Sequence, residues 1–293
     1  MCFAKNNASP RGFTLVELLV VIAIIGILAA LIFPVLQSTI GTASQNGCQD
    51  KLRQIGIAAN SFASRKGYLP GYVNPKLHPS AAQNPSWQLV LLNDLDRQSV
   101  YKTWLDYATG DSPYLDVLVC NEDNTALGRS GPMTSYVVNT GKAGHAVTAN
   151  VANPIYDGLC HDLSNPATAK QRRVAIDQIP DGGNVTVLAS ENLDADQYLS
   201  TASNPEDVYG ISWGGTQLIA NKNAGKRTSF STPDFQYARA SSNHKTSFNV
   251  VFAGGNVRSI DENIDLLIWN SLMTPNGSLV DPAKQKFPLS EDF

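Results

Sequence analysis

From Leu18 to Leu36 the chain passes through 19 consecutive residues without a polar side chain, LLVVIAIIGILAALIFPVL. At 1.5 Å per residue a helix of that length rises about 28 Å, close to the thickness of bilayer hydrocarbon. The run therefore predicts a helix able to span a membrane. After Leu36 the apolar positions become periodic: Ile40, Ala43, Cys48, Leu52, Ile55, Ala59 and Phe62 recur at roughly helical spacing, with Gln, Asp, Lys and Arg between them. One helix is expected to continue to about Arg65 or Lys66 and to stop at Gly67, a residue suited to a C-terminal cap. Its first half is apolar all round and its second half amphipathic.

Beyond Gly67 the pattern shortens, and Gly, Pro, Asn and Ser turns separate brief apolar stretches. WQLVLLNDLDRQSVYKTW, residues 87–104, predicts one or two short helices. DVLVC (116–120), TSYVVNT (134–140) and the alternating NVTVLASE (184–191) predict strands. SFNVVFAGGNVRSI predicts a hairpin turning through Gly254-Gly255, a pair that tolerates positive φ, and NIDLLIWNSLM (263–273) a terminal helix. The fold class that follows is α+β: a long N-terminal helix, transmembrane in its first half, packed on a globular domain built on an antiparallel sheet.

Composition narrows the function classes. The 293 residues are 43 % hydrophobic, enough for a real core, and Lys plus Arg number 22 against 25 Asp plus Glu. A formal net charge of −3 lacks the basic footprint of a nucleic-acid binder, so no nucleic-acid partner is expected. The four cysteines, Cys2, Cys48, Cys120 and Cys160, are far too sparse for a disulfide-stapled mini-domain.

The leader preceding the apolar run carries Lys5 and Arg11 and ends in Arg11-Gly12. A secretory signal peptide places its cleavage site after the apolar core. Here a cut after Gly12 would remove only the leader and leave the helix on a chain beginning at Phe13. Lys5 and Arg11 place the leader in the cytoplasm by the positive-inside tendency, with the residues after Leu36 exported. Glu17 is the conspicuous residue, because a carboxylate within the membrane is costly and usually paired.

With Gly12-Phe13, Glu17 and Pro34 in place, RGFTLVELLVVIAIIGILAALIFP resembles the prepilin signature of type IV pilins and the pseudopilins of type II secretion. The resemblance implies cleavage after Gly12 by a prepilin peptidase, N-methylation at Phe13, and pairing of Glu17 with the new amine of a neighbouring subunit. Pro34 removes a backbone donor and permits a kink, and Gly26 allows close approach of a neighbour. The organisation expected is a leader at 1–12, a transmembrane or filament-core helix at 13–36, its amphipathic continuation at 37–66 and an exported globular domain at 67–293. The implied partners are prepilin peptidase/N-methyltransferase, other pilin or pseudopilin subunits, and membrane lipid. The implied location is the inner membrane, with a cytoplasmic N-terminus, and then a pilus or pseudopilus.

The exported part resembles prepilin-like proteins whose C-terminal domain carries a His-X9-Asp-Gly motif and has no established function. The pieces that carry this likeness are NGCQDKLRQIGIAANSFASRKGYLPGY, WQLVLLNDLDRQSVY, VCNED before TSYVVNTG, SENLDADQY and SSNHKTSFNVVFAGGNVRSIDENIDLLIWNSL. This chain departs from the motif: nine residues after His244 Gly254 stands where the Asp would be, followed by Gly255. His244 is accordingly expected to bond near the hairpin and not to hold a ligand.

The remaining chemistry is sparse. His78, His145, His161 and His244 have no zinc-type spacing, and no nucleophile, base and metal set emerges, so no enzymatic activity is expected. No cofactor is expected: Glu191, Asp194 and Asp196 of ENLDADQY read as a solvated turn in preference to a calcium site, and CNEDN around Asp123 is a weaker case of the same kind. Once Cys2 leaves with the leader, Cys48, Cys120 and Cys160 allow three pairings. The resembled family often carries cysteines at the first two places, which favours Cys48 with Cys120 over a partnership with Cys160. The function expected is that of a subunit assembling into a type IV pilus or type II secretion pseudopilus, the alternative being a membrane-tethered protein that does not polymerise and whose exported domain captures a glycan or secreted substrate.

Overall fold

The computed structural model describes residues 12–77, 79, 84–107, 113–124, 131–142, 158–165, 173–195, 197–198, 209–213 and 237–277. Two compact units emerge, Met1–Ala43 and Ser44–Phe293, and the boundary falls inside one helix, α1 (Leu15–Lys66). Within the first unit, the stretch Leu15–Ile32 has a mean hydropathy of 3.1 and none of it is buried. Among the described residues it is the one helix long and apolar enough to cross a membrane.

In the second unit α1 becomes a core element. Cys48, Leu52, Ile55, Ala59 and Phe62 are buried, as the helical spacing requires, whereas Ala43 is exposed. The helix ends at Gly67, whose φ of +79° suits a residue without a Cβ and whose N–H donates to Ala63 O at 2.7 Å. The 87–104 stretch forms two helices, α2 (Trp87–Leu91) and α3 (Gln98–Tyr107).

Five strands make one sheet: β1 (Tyr136–Lys142), β2 (Val187–Glu191), β3 (Gly210–Trp213), β4 (Ser247–Phe252) and β5 (Val257–Asp261), in the order β3-β1-β2-β4-β5. Three pairings are antiparallel, as expected, and β3 adds to β1 in parallel at one edge. The β1–β3 register shifts between Asn139 and Gly141, where Asn139 Oδ1 accepts from Gly141 N while its Nδ2 donates to Val187 O and Met273 O. That buried amide completes backbone groups that a bulge leaves out of the ladder.

Alternation along the strands sends side chains to both faces. Tyr136, Val138, Leu188 and Val251 pack with Cys48, Leu52 and Ile55 of α1, whereas Val137, Phe248, Val250 and Phe252 pack with α4 (Leu266–Met273). Strands β2, β3 and β4 are thus buried on both faces, which explains their nearly unbroken runs of buried positions, whereas the edge strand β5 buries only Ile260. Trp269 of α4 meets Phe248 edge-to-face, with centroids 5.2 Å apart.

Asp265 caps α4, its Oδ1 accepting from Leu267 N at 2.8 Å and Ile268 N at 3.4 Å. Asp265→Ala is expected to cost about 1 kcal/mol, read as a lowered urea midpoint without a change of slope.

One expected strand is not there. DVLVC forms a single 3₁₀ turn at Asp116–Leu118, because Leu118 N and Val119 N turn back to Leu115 O and Asp116 O. Lys51 of α1 then takes the Val119 carbonyl at 2.9 Å, along with Asp116 Oδ1 and Asn121 Oδ1. An apolar run of only four residues, 117–120, satisfied its backbone locally and against a helix, so no ladder formed.

Candidate functional site

Chemistry concentrates in two places, one in each unit. At the start of α1 the backbone N–H of Thr14 and its Oγ1–H both donate to Glu17 Oε2, at 2.9 and 2.8 Å, and Glu17 N–H donates back to Thr14 Oγ1 at 3.3 Å. This reciprocal capping box satisfies donors that a helix start leaves orphaned. Glu17 therefore has a role within its own chain. The Thr-X-X-Glu spacing from Thr14 to Glu17 was visible in the sequence, and Thr14 is the residue that the reading by family signature passed over. Just ahead, Phe13 is 77 % exposed and a Cβ on Gly12 would meet nothing within 4 Å, so the Gly12-Phe13 bond is sterically open. Pro34 lies within α1, whose helical backbone continues through it.

The second place lies between α1 and the sheet. Cys48 of α1 and Cys120, in the turn before β1, form a disulfide with Cα atoms 5.1 Å apart across 72 residues of sequence. Cys160 is a buried free thiol, and burial pushes its pKa up. His244, 2 % exposed, lies against this disulfide with Nε2 at 3.7 Å from Cys120 Sγ. The same nitrogen faces Glu191 Oε1 at 3.2 Å, and Nδ1 faces Glu122 Oε2 at 3.6 Å.

Glu191 ends β2 and is equally buried. Its carboxylate accepts from Asn249 N and Asn249 Nδ2, both at 2.9 Å, on the neighbouring strand β4. The ligand atoms of Cys48, Cys120, Glu191 and His244 all lie within 4.8 Å of one another. A narrow cleft lined by Cys120, Asp123, Ser135, Glu191, Asn192 and Ser241 borders the cluster.

The other sequence candidates are dispersed. Glu191 is turned to His244 and Asn249, Asp194 is buried in an ion pair with Arg239 at 3.2 Å, and Asp196 lies outside the described residues. Asp123 accepts from Ser135 Oγ, which itself accepts from Cys120 N, so this acid holds the disulfide turn in place.

The residues of the His-X9 motif sit at opposite ends of β4. A strand of six residues separates them by about 20 Å, so His244 and the Gly254 position cannot share a ligand. Gly254 and Gly255 make the hairpin turn, with Gly255 at φ +91°. A Cβ at Gly254 would stand 2.1 Å from Asn184 Oδ1, so any side chain there requires that amide to move.

Comparison with known proteins identifies the first place. Residues 8–33 match the prokaryotic N-terminal methylation motif. Over 74 residues the chain is 36 % identical to the type IV major pilin protein PilA of Myxococcus xanthus (strain DK1622), a match covering 25 % of this chain and 34 % of that protein. The match spans about a third of the relative's length. With the exposed apolar stretch Leu15–Ile32 of α1 ahead of an α+β domain, these features define a type IV pilin-like chain with a prepilin-type methylation motif. Residues 43–267 match the family described as protein of unknown function (DUF1559), and the chain belongs to it. No solved structure gives a significant match.

Proposed function

We propose that this protein is a prepilin-like subunit, cut between Gly12 and Phe13, N-methylated at Phe13, and assembled through α1 into a type IV pilus or a type II secretion pseudopilus. The observation that carries the reading is the arrangement at the start of α1. An open Gly12-Phe13 junction stands directly before a capping box whose acid heads the apolar stretch Leu15–Ile32 of α1, in which no residue is buried.

Lipid hydrocarbon and the core of a helical filament are both apolar, so one helical surface suits storage in the first and packing in the second. Glu17 suits the transfer. Both bonds from Thr14 use Oε2, which leaves Oε1 for the amine that cleavage creates on a neighbouring subunit. A carboxylate already capping its own helix is held in position, so such a pair would set the register between subunits. Prepilin peptidase, fellow subunits and lipid are the partners this reading requires. Orientation follows from Lys5 and Arg11, with the leader cytoplasmic and the second unit exported.

Intact-mass measurement of the full chain, from cells with and without the prepilin peptidase, tests the reading. The expected product begins at methylated Phe13 when the enzyme is present and retains the leader when it is absent. Any other N-terminus overturns the proposal. Recovery of the processed chain in sheared filaments supports assembly, whereas a processed chain found only as a membrane monomer overturns it in favour of a tether.

A further inference from the structure

The disulfide is enclosed by groups that a disulfide does not require. A sulfur–sulfur bond calls for suitable backbone geometry and no ionisable partner, yet here His244 Nε2 stands 3.7 Å from Cys120 Sγ and 3.2 Å from Glu191 Oε1, all of it buried. We propose that, in the reduced chain, Cys48, Cys120, His244 and Glu191 bind one zinc ion, so that the same four side chains form either a disulfide or a metal site. This inference does not depend on filament assembly.

Two edges of the site, both from His244 Nε2, match those of a zinc tetrahedron. With Zn–S near 2.3 Å and Zn–N or Zn–O near 2.05 Å, the ligand–ligand edges are about 3.6 Å for S to N and about 3.3 Å for N to O. The observed 3.7 and 3.2 Å agree with those edges. The sulfur pair disagrees, as it must: two thiolates on one zinc stand about 3.8 Å apart, so the covalent bond and the ion exclude each other. Two thiolates and an imidazole favour zinc over calcium or magnesium, which take oxygen ligands.

The surroundings also fit. Nδ1 of His244 faces Glu122 Oε2 at 3.6 Å, the outer carboxylate that orients a metal-binding imidazole through its far nitrogen. Asn249 holds Glu191 with two donors, and the Asn121 N–H donates to Cys48 Sγ at 3.2 Å, which favours a thiolate.

The step balances with a dithiol as reductant. Its two sulfurs join as the Cys48–Cys120 bond breaks, passing two electrons and two protons to the cysteines. Zinc then displaces those two thiol protons while the imidazole proton moves to Nδ1, toward Glu122.

The test uses the full chain in detergent, either oxidised or reduced with a water-soluble phosphine, and offered Zn²⁺ or Co²⁺ alone. The reduced chain is expected to bind one Zn²⁺ and the oxidised chain none. With Co²⁺ the reduced chain should show the strong visible absorption of a tetrahedral ion and thiolate-to-cobalt charge transfer. His244→Gln should lower zinc affinity at least 100-fold, and Glu122→Gln about tenfold, as expected for an orienting partner. Substoichiometric zinc on the reduced wild-type chain, or an octahedral cobalt spectrum, overturns the proposal. So does a His244→Gln chain that keeps wild-type affinity.

Discussion

Opening the Cys48–Cys120 bond, by reduction in the presence of a chelator or by the double substitution Cys48→Ala with Cys120→Ala, is expected to lower unfolding stability by about 4 kcal/mol. The disulfide closes a loop of 72 residues, and in the chain-entropy account the freedom restored to the unfolded chain grows with the logarithm of that length. Cys48 belongs to α1 and Cys120 to the turn before β1, so the bond joins a helix to the sheet that it covers. Both cysteines are buried, and Lys51, Ser135 and Asn243 also hold that turn by hydrogen bonds. Urea unfolding followed by tryptophan fluorescence measures the loss, since Trp87 and Trp269 are buried in the two cores. A loss below about 1 kcal/mol would show that the loop is already constrained in the unfolded chain. If the zinc proposal holds, omitting the chelator and adding Zn²⁺ to the reduced wild-type chain should recover much of the loss, because an ion that binds only the folded state stabilises it.

Glu191→Ala in the oxidised chain is expected to cost about 3–5 kcal/mol, the range for removing one partner from a buried charged network. The carboxylate, 2 % exposed, accepts from Asn249 N, Asn249 Nδ2 and His244 Nε2. Truncation leaves these donors buried without an acceptor, and each carries a desolvation penalty. Glu191→Gln keeps the volume and one acceptor oxygen but turns an amide NH₂ toward other donors, so about 1–3 kcal/mol is expected there. Equilibrium urea unfolding of both variants separates the two cases. Equal losses from Ala and Gln would mean that shape, and not acceptance of hydrogen bonds, is what this side chain supplies.

The legible parts of this chain were those in which a local signal matched the local structure. Period-3.6 apolar spacing placed Cys48, Leu52, Ile55 and Phe62 on the buried face of α1, and Gly67 ended the helix because positive φ costs glycine least. The hairpin at Gly254-Gly255 followed from the same property. DVLVC does not form the expected strand because so short an apolar run carries no information about where its backbone groups bond, and Lys51 arrived from elsewhere to take the Val119 carbonyl. β3 had no expected counterpart: Gly210–Trp213 is four residues long and joins β1 in parallel, an arrangement made only by a long crossover.

The N-terminal site was written along the chain because its parts are adjacent. Gly12, Phe13, Thr14 and Glu17 lie within two turns of one another, so spacing alone establishes their geometry once the helix forms. That is why the methylation motif and the apolar helix follow from the sequence by itself. The cluster of Cys48, Cys120, Glu191 and His244 could not be read that way. Its members come from a helix, a turn, a strand end and a loop, with no short ligand spacing among them, and Glu191 looked like a solvated acid in a polar stretch. Only packing α1 against the sheet removed Glu191 and His244 from water and brought both to the disulfide. Burial is a property of the assembled layers, and it turned an ordinary acid and an isolated histidine into a site.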